Sequence, residues 1–133
     1  MPLFAIDDSE KKNVPAKRAR DYGVWRGQLQ AFDSNAEGQI RAALNQVFDR
    51  AAANQELVYS SAIPGKDWTG TVYDPIYQCF QDENQARLFF GLLVWDVAVH
   101  RGDDWYFKPK DNDEVEAGTY YFLKRSQRHT TST

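Results

Sequence analysis

Few residues in this 133-residue chain have types and spacings that suggest chemistry. Asp96 and His100 are four apart, which makes them neighbours on one face of a helix. A carboxylate can orient an imidazole for acid–base work. A histidine in the last turn of a helix also suits the helix dipole and pairs with a carboxylate for structural reasons, and that reading is favoured. Asp103 and Asp104 follow closely. Adjacent carboxylates diverge, however, and do not make a dyad. Cys79 is the sole cysteine, set in the apolar stretch Tyr77–Phe80, where a lone thiol behaves as a small hydrophobe.

Other chemistries find less support. With two histidines, His100 and His129, and one cysteine, no structural zinc spacing exists. Asp111-Asn112-Asp113-Glu114, in a loop that also holds Glu116, superficially suggests calcium, but it has neither the glycine nor the terminal bidentate glutamate of an EF-hand loop. It reads as an exposed acidic hairpin tip. No Gly-x-Ser-x-Gly, phosphate-binding glycine loop or dinucleotide fingerprint appears. No cofactor is expected, and no catalytic or metal-binding residue is assigned.

The elements that would position these residues follow from pattern. Residues 1–20 read as a flexible basic arm with a short strand at Leu3–Ile6, residues 21–125 as one α+β domain, and 126–133 as a disordered tail. Tyr22–Phe32 reads as a strand with Trp25, Leu29 and Ala31 on one face. Ser34 and Glu37 form a capping box. Ile40, Leu44, Val47, Phe48 and Ala51 then make the apolar stripe of an amphipathic helix ending near Asn54. Leu57–Ile63 and Trp68–Tyr73 read as a hairpin around Pro64-Gly65. Asp74-Pro75 opens a short helix to Gln81, and Asp82–Gln85 caps a largely buried helix over Ala86–His100. Trp105–Lys108 and Thr119–Lys124 are the last strands. The expected fold is α+β: an antiparallel sheet of four to five strands packed with one amphipathic and one largely buried helix.

Composition narrows the function classes. Hydrophobic residues are 42% and charged residues 26%, ordinary for a globular domain. No apolar run approaches the ~20 residues of a membrane span. The beginning has no basic n-region followed by an apolar stretch, and one cysteine allows no disulfide framework, so a reducing cytoplasm is expected.

Charge is uneven. Residues 1–31 are net +2, residues 32–102 net −4 and residues 103–133 net −1. Lys11, Lys12, Lys17, Arg18 and Arg20 near one end, and Lys124 and Arg125 near the other, are the candidate nucleic-acid contacts. The element order resembles that of a winged helix. A recognition helix, however, needs a polar, basic outer face, which the helix at 83–101 lacks. Nucleic acid is therefore disfavoured as a partner.

Aromatic residues make up 14% of the chain. Trp68, Tyr73, Trp105, Tyr106, Tyr120 and Tyr121 form the candidate interaction surface. In the adjacent pairs Trp105/Tyr106 and Tyr120/Tyr121 one member of each must face away from the other. The favoured reading is a non-enzymatic protein-interaction or self-associating module, a dimer foremost. An aromatic-lined small-ligand pocket is a further alternative.

Overall fold

The computed structural model describes residues 3–4, 10–11, 16–56, 58–59, 70–109 and 120–124. In chain order the elements are β1 (Leu3–Phe4), β2 (Glu10–Lys11), α1 (Ala16–Phe32), α2 (Ala36–Asn54), β3 (Val58–Tyr59), α3 (Asp74–Phe80), α4 (Glu83–Val99), β4 (Trp105–Pro109) and β5 (Tyr120–Lys124).

Helices dominate, which corrects the expected fold class. The described strands longer than two residues are β4 and β5, an antiparallel hairpin that pairs Trp105 with Lys124 and Phe107 with Phe122. Two-residue pairings extend its edges in the order β2-β1-β4-β5-β3, and β1 runs parallel to β4. Among the described residues an antiparallel sheet of four to five full strands is not present: of the expected hairpin at 57–63 and 68–73, Val58–Tyr59 form the two-residue β3, while residues 57 and 60–69, with the Pro64-Gly65 turn, lie outside the described residues. Residues 22–32 belong to α1. Residues 71–73 turn into α3, and Tyr73 is the residue preceding it.

Tyr22 and Leu29, seven residues and two turns apart, are buried on one face of α1 with Trp25 half-buried beside them. That spacing is helical, and it overrides the period-two reading of Trp25, Leu29 and Ala31. The helix also begins at Ala16, inside the segment read as an arm.

A three-residue turn leads into α2. Here Asp33, not Ser34, does the local bonding: its carboxylate accepts from the Asn35 amide at 3.0 Å. The expected Ser34–Glu37 capping box does not form, since Asn35 precedes the helix without a side-chain cap and Glu37 is engaged elsewhere. Ile40, Leu44, Phe48 and Ala51 of α2 are buried as a stripe. At α4 the sequence signal is realised: the Asp82 carboxylate accepts from the Gln85 amide at 3.1 Å. α4 is buried without a break from Phe89 to Val99.

Aromatic rings pack around α4 on two sides. Phe89 meets Tyr22 (ring centroids 5.6 Å), Trp25 (6.4 Å) and Phe80 (5.3 Å), joining α1 and α3 to its first half. Trp95 lies 4.4 Å from Phe107, tying its second half to the hairpin. Phe48 of α2 closes the core against Trp105 (4.8 Å) and Phe122 (5.5 Å). Among the described residues no helix is long and apolar enough to cross a membrane.

Candidate functional site

The densest polar chemistry lies where α1, α2 and α4 meet. α1 presents Tyr22, Arg26 and Gln30 at i, i+4 and i+8. α2 presents Glu37 and Arg41 one turn apart, and α4 presents Asp96 and His100 likewise. Arg26 grips Glu37 through two bonds, Nε to Oε1 at 3.2 Å and Nη2 to Oε2 at 2.7 Å. Gln30 donates to Glu37 Oε1 at 3.2 Å, and Arg41 Nε donates to Glu37 Oε2 at 2.8 Å. The other end of Arg41 donates to the Asp96 carboxylate, which also accepts from the Tyr22 hydroxyl at 2.8 Å. Two guanidinium groups thus face two buried carboxylates.

This arrangement sets the protonation states. Burial, then the neighbouring Asp96 charge, pushes the Tyr22 phenol well above its usual value. Burial opposes the charge on Arg41, but hydrogen bonds to Asp96 and Glu37 outweigh it and raise its pKa. Burial likewise raises the Glu37 carboxyl, yet the bonds from Arg26 and Arg41 win and hold it below the usual carboxylate range. Glu37 therefore stays ionised, Arg41 charged and Tyr22 protonated. Such a cluster fixes geometry but offers no group poised to exchange a proton near neutrality.

His100 sits at its rim. Its Nδ1 lies 2.8 Å from the Asp96 carbonyl oxygen and 3.2 Å from Asp96 Oδ1, with the imidazole two-thirds exposed. The predicted proximity of Asp96 and His100 is present. Asp96, however, spends its carboxylate on Arg41 and Tyr22, which is the structural role.

A second cluster centres on Arg101. It bonds to Asp103 Oδ1 at 2.7 Å, Asp49 Oδ1 at 2.7 Å and the Asn45 carbonyl at 3.1 Å. Its guanidinium lies over the rings of Phe48 and Trp105. Burial pushes the Asp103 carboxyl up, but the bonds from Arg101 overcome this and leave it low. Among the described residues no group of three or more His, Cys, Asp or Glu side chains could hold a metal ion. Cys79 is half-buried, and that burial raises its thiol pKa, away from nucleophilic use.

The aromatic surface read from the sequence divides. Trp105 is fully buried against Phe48, and Tyr73 is buried against Phe90 with centroids 5.2 Å apart. Neither belongs to a surface or lines an open pocket; both are core. Tyr106 is half-buried, and in register it pairs with exposed Leu123 and with Phe4 on the sheet face opposite Trp105 and Phe122. Tyr120 and Tyr121 pair in β5 with Pro109 and Lys108. Trp68 lies outside the described residues.

The basic candidates are spread out. Lys11 is in β2, Lys17 and Arg18 are in α1, Arg20 is exposed on α1, and Lys124 is half-buried in β5. Lys12 and Arg125 lie outside the described residues, as do the acidic segment 111–116, His129 and the tail 126–133. A winged-helix use of α4 is closed off physically, because the helix that would enter a groove is enclosed by the core.

The reading from residues alone missed Tyr22, Arg26, Glu37 and Arg41. Their signal was the polar spacing Tyr22–Arg26–Gln30, visible once 22–32 is taken as helical. Large hydrophobic side chains still exposed among the described residues are Val24 and Phe32 on α1, each 54%, and Leu123 on β5, 43%. The chain matches no family model, no curated protein and no solved structure.

Proposed function

We propose that this chain is a non-catalytic interaction module that associates with copies of itself, working in the cytoplasm. The observation that carries the reading is where apolar surface stays outside. Most described aromatics are consumed by the core, while Val24 and Phe32 project from α1 and Leu123 from β5. Large apolar side chains left in water are the material from which an association surface is built. The ionic clusters favour a binding role over catalysis, since each charged group in them is already paired and geometrically fixed.

The test is light scattering coupled to size-exclusion chromatography, at two protein and two salt concentrations. A dimer or larger species supports the reading, and a monomer at every concentration overturns it. Association that appears only with added nucleic acid and weakens steeply with salt would move the assignment to the basic residues.

A further inference from the structure

We draw no further inference here: the strongest candidate, the sheet face on which Phe4, Tyr106 and exposed Leu123 line up across β1, β4 and β5, is an apolar face and nothing in the structure shows what covers it.

Discussion

Replacing Arg41 with alanine should be among the most destabilising single changes outside the apolar core. Among the described residues Arg41 is the one whose side chain bonds to both buried carboxylates, Glu37 on its own helix and Asp96 on α4. Without it Glu37 keeps Arg26 and Gln30. Asp96 keeps the Tyr22 hydroxyl, with its own side chain only 9% exposed. A carboxylate left buried without its cation costs about 3–5 kcal/mol. Arg41 is a quarter exposed, so water recovers part of this, and about 3 kcal/mol is the expected loss. At roughly 3–5 °C per kcal/mol for a chain of this size, Tm should fall by about 10–15 °C.

Urea and thermal unfolding followed by circular dichroism would measure it. Arg26→Ala, at a 38% exposed side chain, is the control and should cost about 1 kcal/mol. Arg41→Met combined with Asp96→Asn should cost less than the two single changes added together, because no charge is then stranded. If Arg41→Ala costs no more than Arg26→Ala, or if the double change is additive, the network does not hold the three helices and the reasoning fails.

Other outcomes follow from the same geometry. The depressed Glu37 and Asp103 carboxyls contribute stability that is complete above the usual value of about 4 and drains away as pH falls through and below it. Urea midpoints measured from pH 6 to pH 3 should therefore decline, and less so in Glu37→Gln. Gln55 and Gln81 end α2 and α3 in left-handed conformation, at φ 56° and 54°. Glycine at either position should raise stability by about 0.5–1 kcal/mol in urea titrations. Asp82→Ala removes the cap of α4 and should cost about 1 kcal/mol, read the same way. Phe48→Ala strips ring contacts from Trp105 and Phe122 and should cost about 3–5 kcal/mol, with tryptophan emission shifted to the red as Trp105 meets water.

The parts of the fold legible in the residues were those with local, self-contained signals. α2 announced itself by its apolar stripe, α3 by Asp74-Pro75, α4 by the Asp82 cap and β4–β5 by dense aromatic runs. α1 did not, since Gly23 and Gly27 lower helix propensity. Its polar residues Arg26 and Gln30 make sense only against Glu37, a partner on another helix. The same blindness misread Ser34–Glu37: the local pattern fits a cap, but a bidentate guanidinium competes for that carboxylate and wins. Among the aromatics, sequence established that Trp105 and Tyr106 must part. The choice of Trp105 for the core depended on Phe48 lying beneath it.

The polar cluster also bears on how the molecule opens. Glu37 is saturated only with α1 docked on α2, and Asp96 only with both docked on α4. Loss of α2 leaves Asp96 and Arg26 without their ion-pair partners, loss of α1 takes Arg26, Gln30 and the Tyr22 hydroxyl from the two carboxylates, and loss of α4 takes Asp96 from Arg41, so each partial opening gives up bonds to charged groups. Amides of α1, α2 and α4 should thus exchange their hydrogens as a single cooperative unit, whereas a bundle zipped by grease alone could fray one helix at a time.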